Sequence, residues 1–274
     1  MASGPMAAHG SRVDPAATRR PGSPRRWLTR ERIAPIVAGA ALLCIWEFYV
    51  RNNLPSFVAT PSGIVMAIPS TVASASFWSA ALVSFGSIVE GVAIGTVAGI
   101  LIGLAMGRVR EVNWFLSTYI RALYALPLIA LVPLVIIWVG YQPAARLIIV
   151  ALSAFLPVAV TTADGTRAIS KEYLDVGRIF GAKTHHVWFG IALPTAMPHI
   201  VAGIELGFAR GITNAIAVEV LASIQGMGMS VFEKSAQLNE DASFVYVLAL
   251  AIFAVGIRSL MIRSRQRLAP WYRG

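Results

Sequence analysis

Four polar side chains stand in an otherwise apolar stretch of the C-terminal third: Glu205, Arg210, Asn214 and Glu219. Ionisable groups at membrane depth are costly and face a cavity or a partner. On a helix, Arg210 and Asn214 are four residues apart and share one face. Glu205 and Glu219 are fourteen apart, which leaves them about 40° apart on another face. Such a set could line a route for a polar solute. The other placement puts Glu219 at the outer membrane interface and Glu205 near the inner one, both partly hydrated.

Other chemistries fit less well. Residues 177–184, GRIFGAKT, nearly spell a phosphate-binding loop. The second glycine that loop requires falls at Ala182, and no apolar strand precedes Gly177. His185 and His186 are adjacent, so on a helix they point in different directions, and no further ligands cluster beside them. No metal site is expected. No Ser–His pair or paired carboxylates suggest an intramembrane hydrolase. The chain is therefore not expected to be an enzyme or to bind a nucleotide itself.

The elements that must position these residues are membrane helices. The chain has 274 residues, 57% hydrophobic and 13% charged, too apolar for an ordinary soluble domain. Runs near 33–50, 85–106, 122–139, 147–163, 197–224 and 244–262 approach the roughly 20 apolar residues a bilayer crossing needs. The expected fold is all-α, a polytopic membrane protein with six transmembrane helices. The third and fourth runs are separated only by Gly140–Arg146, which predicts a tight hairpin.

The net charge of +10 does not point to nucleic acid, because its distribution follows the membrane. Basic residues crowd the N-terminal tail (Arg12 to Arg32), the loop after the second run (Arg108, Arg110, Arg121), residues 167–183 (Arg167, Lys171, Arg178, Lys183) and the C-terminus (Arg258 to Arg273). The alternate loops hold Arg51, Arg146 and Lys234. This bias predicts cytoplasmic termini. Residues 1–31 read as a disordered basic tail, 32–267 as the membrane domain with a long loop at about 167–198, and 268–274 as a second tail. The first apolar run is long and lacks a small-residue cleavage site, so it reads as a span and not a signal peptide. The single cysteine, Cys44, lies inside it and reads as a buried apolar residue.

Two patterns concern packing. Gly91, Gly95, Gly99, Gly103 and Gly107 recur every four residues, as do Gly203, Gly207 and Gly211. Each row forms a bare helix face that admits a close neighbour, within the bundle or across a dimer. Pro127, Pro133 and Pro157 remove backbone bonds and predict bends, tolerated where protein or an aqueous cavity satisfies the freed carbonyls. Pro127, Pro133 and Trp138 are therefore added to the candidate route.

The loop at 171–200, KEYLDVGRIFGAKTHHVWFGIALPTAMPHI, reads as a helix–turn–helix knob. Gly181 ends one short helix through a left-handed turn, Thr184 caps the next, and Pro194 stops or bends it. This segment resembles the signature loop of bacterial ABC-importer permeases: Glu-Ala-Ala, three residues, Gly, nine residues, Ile, one residue, Leu-Pro. Asp175-Val176-Gly177 stand in the Glu-Ala-Ala place, and Gly181, Ile191, Leu193 and Pro194 on the remaining positions. The acid is shortened and the second alanine is a glycine. Residues 121–140, with Thr60-Pro61-Ser62, Phe155-Leu156-Pro157 and Gly226-Met227-Gly228, are similar to the branch serving nitrate, sulfonates, taurine and some vitamin precursors. The likeness runs from about residue 54 to 267. Where that branch often carries arginines, this chain has Ser87 and Glu205.

The resemblance implies a bacterial cytoplasmic-membrane subunit with a second copy of itself, an extracytoplasmic solute-binding protein, and a separate ATPase carrying ATP and Mg. It implies that Asp175, Gly177, Gly181, Ala182, Leu193 and Pro194 transmit ATPase closure to the spans. A stand-alone secondary transporter would instead show half-chain repeats and broken midplane helices, and no convincing repeat is visible. A membrane scaffold is the other alternative.

Overall fold

The computed structural model describes residues 25–268 except 56, 170–178, 180, 184–185, 188–189 and 191–192, with side chains described for 33–263. Among these residues the fold is all-α. In chain order come α1 (Arg25–Asn53), α2 (Pro61–Val72), α3 (Ala75–Arg108), α4 (Arg110–Ala125), a 3-10 turn (Leu128–Leu131), α5 (Val132–Val139), α6 (Pro143–Arg167), α7 (Leu193–Leu221), α8 (Met227–Ala236) and α9 (Glu240–Leu268).

Five helices are long and apolar enough to cross a membrane, and a sixth crossing arises if α4 and the Leu128–Val139 segment count as one broken span. Five of the six expected runs coincide with continuous helices. The third does not. A helix with a proline bend was expected over 122–139; the chain instead turns by 97° between α4 and Leu128. The cause is local. Leu126 precedes a proline and is extended, φ −74° and ψ 141°, as the Pro127 ring requires of its neighbour. Pro133 does not bend α5. It sits in that helix's first turn, where a missing N–H costs nothing. Pro157 stays inside a continuous α6, with the Thr161 hydroxyl donating to its carbonyl at 2.9 Å.

The short connection at 140–142 turns through Gly140, whose φ of +80° suits glycine. It returns α5 against α6, where Val132, Val135 and Ile136 pack on Ala145 and Ile149.

Helix α6 is the axis of the bundle: 56% of its most apolar window is buried, against 6% for α1. The glycine rows explain why. A Cβ on Gly91 would lie 2.8 Å from Val150, one on Gly99 2.8 Å from Val158, and one on Gly103 2.6 Å from the Ala159 carbonyl. Gly95 and Gly107 meet Ala151 and Thr166 just as closely. From the other side, Gly203 abuts Val158 and Thr161, Gly207 abuts Ala154, and Gly211 faces Val92 and Val150. Backbone contact on both flanks of α6 supplies the packing that hydrophobicity cannot supply in lipid. Ile88, Val92, Val150, Ala154, Ile212 and Ala215 fill the seam where α3, α6 and α7 meet.

The end carrying residues 60–63 is fastened by carboxylates. Thr60 caps α2 by accepting from the Gly63 N–H at 3.0 Å, and its own N–H donates to Asp241 Oδ1 at 3.1 Å. Glu47 accepts from the Ser62 N–H at 3.0 Å and hydroxyl at 2.7 Å, and pairs with Arg51. The Thr-Pro-Ser sequence thus ties α1 and α9 to α2. Cys44 is exposed on α1, not buried among apolar side chains of this chain.

Candidate functional site

The strongest polar constellation is sealed inside the bundle. Glu219, near the end of α7, is fully buried. Its Oε1 accepts from the Ser84 hydroxyl at 2.6 Å and from Arg146 Nη1 at 3.0 Å, and its Oε2 accepts from the Gly228 N–H at 2.8 Å. Ser84 accepts in turn from the Met227 N–H at 2.8 Å, and Arg146 Nη1 also donates to the Gln225 carbonyl at 2.9 Å. One carboxylate therefore joins α3, α6, α7 and the start of α8. Gly226 and Gly228 make this possible: a Cβ on Gly226 would overlap the carboxylate, and one on Gly228 would lie 2.8 Å from the Ile216 carbonyl.

Two residues stand elsewhere than the sequence suggests. Arg146 is not a loop charge; it lies one turn inside α6 and is 3% exposed. Glu219 stands neither at a hydrated interface nor on an open wall. Pro143 carried the missed signal, since proline marks the first turn of a helix and places Arg146 within it. Ser84 offered no such signal, because a lone serine in an apolar span is common.

The other in-span polar residues separate into different environments. Asn214 is buried and donates to the Ser153 hydroxyl at 2.8 Å, joining α7 to α6. Arg210, on the neighbouring strip, is half-buried with its guanidinium 4.1 Å above the Tyr124 ring of α4. Glu205 faces α9, with its carboxylate 3.7 Å from Arg258. This pair edges a cleft of about 560 Å³ between α7 and α9, otherwise lined by side chains such as Leu206, Phe208 and Ile212. Glu205 and Glu219 therefore do not act as a pair. Pro127, Pro133 and Trp138 are exposed along the broken span, Trp138 to 79%.

Of the signature-loop residues, Asp175, Val176, Gly177, Thr184, His185 and Ile191 lie outside the described residues. Gly181 is described, with φ +68° and no described atom within 4 Å of where a Cβ would point. Ala182 is half-buried beside it. Leu193 and Pro194 open α7. The expectation that Pro194 stops or bends the preceding helix falls on residues outside those described.

With this geometry in view, comparison with known proteins is informative. Residues 91–274 match the family described as binding-protein-dependent transport system inner membrane component, and the chain belongs to that family. It is 27% identical over 259 residues to the taurine transport system permease protein of Escherichia coli, covering 90% of this chain and 93% of that protein. It is 23% identical to a putative aliphatic sulfonates transport permease protein of Bacillus subtilis, covering 93% and 92%. It is also 23% identical to the formylaminopyrimidine transport permease protein of Halalkalibacterium halodurans, covering 88% and 96%. Among solved structures, the fold is similar to a chain of an amino acid ABC transporter at TM-score 0.58 and 15% identity, covering 78% of this chain and all of that one. It is likewise similar to a chain of the inward-facing MetNI methionine ABC transporter at TM-score 0.53 and 17% identity, covering 76% and 97%. The protein is an all-α, multi-pass membrane permease of the ABC-importer type.

Proposed function

We propose that this chain is the membrane subunit of an ATP-driven importer in the bacterial cytoplasmic membrane, working as two copies around one path. An extracytoplasmic binding protein delivers a small solute of the sulfonate, taurine or vitamin-precursor kind. A separate ATPase, carrying ATP and Mg, docks on the loop that includes Asp175, Gly177, Gly181, Ala182, Leu193 and Pro194. Both termini lie in the cytoplasm.

The observation that carries this reading is likeness over nearly the full length to permeases named for taurine, sulfonates and formylaminopyrimidine. The positive φ of Gly181 supports the loop assignment, since it gives a reason for glycine there. The broken span and the exposed Pro127, Pro133 and Trp138 support a path wall beside a second copy.

The test is reconstitution of the chain with its ATPase and binding protein in proteoliposomes. Labelled taurine or ethanesulfonate is expected to accumulate only with ATP on the ATPase side and binding protein on the other. Accumulation driven by an ion gradient without the ATPase would defeat the proposal.

A further inference from the structure

Arg210 is a charge in need of an explanation. It lies within the long apolar α7, eleven residues before that helix ends. At 1.5 Å per residue this is roughly 16 Å from the helix terminus, beyond easy reach of an interface. Two other charges of the described spans have partners of opposite sign: Arg146 has Glu219, and Glu205 has Arg258. Among the described residues no carboxylate lies within ion-pair reach of Arg210; what faces its guanidinium is the Tyr124 ring. A ring face attracts a cation and fixes its plane but does not neutralise it.

The surroundings are not those of a lipid contact. Tyr124 is the penultimate residue of α4, immediately before the 97° break. Backbone interrupted in this way is stable only against protein or a water-filled space. The α7 strip beside Arg210 runs through Leu206, Thr213 and Ala217, of which Leu206 and Thr213 are exposed and Ala217 half-buried. On the far side of the break, Leu126 and Ile129 are also exposed. Arg210 and Tyr124 thus stand beside the break, with exposed apolar side chains on both elements. A guanidinium over a ring face can still offer N–H groups outward, and two of them match two oxygens of a planar or tetrahedral oxyanion.

We propose that Arg210, held over Tyr124, is the anion contact of the permease path, taking the sulfonate or carboxylate group of a small organic anion. The assignment of this position to a path rests on the importer reading above; the assignment of an anion to Arg210 does not.

The test uses the full-length chain in nanodiscs of zwitterionic lipid. Thermal midpoints are measured against ethanesulfonate at constant ionic strength, with chloride as balancing anion and dimethyl sulfone as the neutral analogue. A saturable rise is expected with ethanesulfonate and none with the sulfone. Half-saturation should move up at least tenfold in Arg210→Gln and less in Arg210→Lys and Tyr124→Leu. It should not move in Arg258→Gln, which removes an exposed arginine that already pairs with Glu205. Propionate in place of ethanesulfonate ranks carboxylate against sulfonate. Three results would overturn the proposal: no saturable effect in the unmodified chain, an equal shift in Arg258→Gln, or an Arg210→Gln protein that dissociates to monomers while its anion response persists. The last would assign Arg210 to a carboxylate of a second copy. An Arg210-dependent stabilisation by phosphatidylglycerol nanodiscs that ethanesulfonate does not displace would assign the site to a lipid headgroup, again against the proposal. Failure of the chain to bind an ATPase, with the ethanesulfonate response intact, would sink the importer reading and leave this one standing.

Discussion

Arg146 and Glu219 are 73 residues apart in sequence, yet their side chains meet at 3.0 Å with 4% and 0% of their surface exposed. A pair this dry earns little by attraction alone, because both charges lose their water. Its weight lies in what each partner becomes without the other. Glu219→Gln and Arg146→Met should each lower stability by about 3–5 kcal/mol, the range for breaking a buried pair. Arg146→Met combined with Glu219→Leu should be closer to the parent than either single change. Unfolding in mixed micelles gives all three values. Single-variant losses under about 1 kcal/mol would show the pair to be solvated.

The glycine rows give a graded expectation. A Cβ at Gly95 would run into the Ala151 carbonyl and lie 2.8 Å from the Phe155 nitrogen, both rigid backbone. At Gly86, on the same helix, nothing lies within 4 Å. Gly95→Ala should lower the thermal midpoint clearly, and Gly99→Leu should prevent assembly. Gly86→Ala should leave the midpoint unchanged or raise it, since alanine is favoured over glycine in a helix by about 1 kcal/mol. Equal tolerance at positions 86 and 95, read by size exclusion and thermal unfolding, would mean that α3 does not rest on α6.

The fastening of α2 to α9 is tested by a double-mutant cycle. A Cβ at Gly63 would overlap the Asp241 carboxylate, which also accepts the Thr60 N–H. Gly63→Ala and Asp241→Ala should each destabilise, by about 1 kcal/mol or more. Together they should cost less than the sum, because removing the carboxylate makes room for the methyl. Strict additivity would place the two residues apart.

Membrane orientation is accessible by labelling. On a Cys44→Ser background, cysteines at Ser11, Lys183 and Gln237 are exposed to an impermeant thiol reagent in intact cells. Only the Gln237 site should react, given the basic residues of the N-terminal tail and of 167–183. Outside labelling at Lys183 would reverse the assignment.

How far the residues themselves led is instructive. Repetition was readable: glycine every fourth residue describes a helix face whatever that face meets, and long apolar runs describe spans. The 97° turn was not, because Pro127 permits either a kink or a break, and the neighbours in space decide between them. Arg146 was misplaced because an apolar window smears across a single charge, although Pro143 had already marked the helix start. Glu219 was visible as an acid in an apolar run, read as lining a route or as lying at the outer interface; its partners Arg146 and Ser84 lie on helices 73 and 135 residues away. No local pattern names such partners. The Gly226-Met227-Gly228 motif was found by resemblance, and its physical reason emerged only beside the Glu219 carboxylate.

The central claim is that the loop around Gly181 couples this chain to an ATPase. At φ +68° a β-branched residue is strained, whereas asparagine adopts this conformation comparatively well. Among the described residues nothing within 4 Å opposes a Cβ there, so the backbone conformation sets the expected penalty. The decisive measurement is ATPase co-purification and substrate-stimulated ATP hydrolysis for Gly181→Val and Gly181→Asn, with membrane amounts and thermal midpoints as controls. Valine should abolish both readouts at near-normal membrane levels, and asparagine should retain most of each. Normal stimulation in the valine protein would contradict the account.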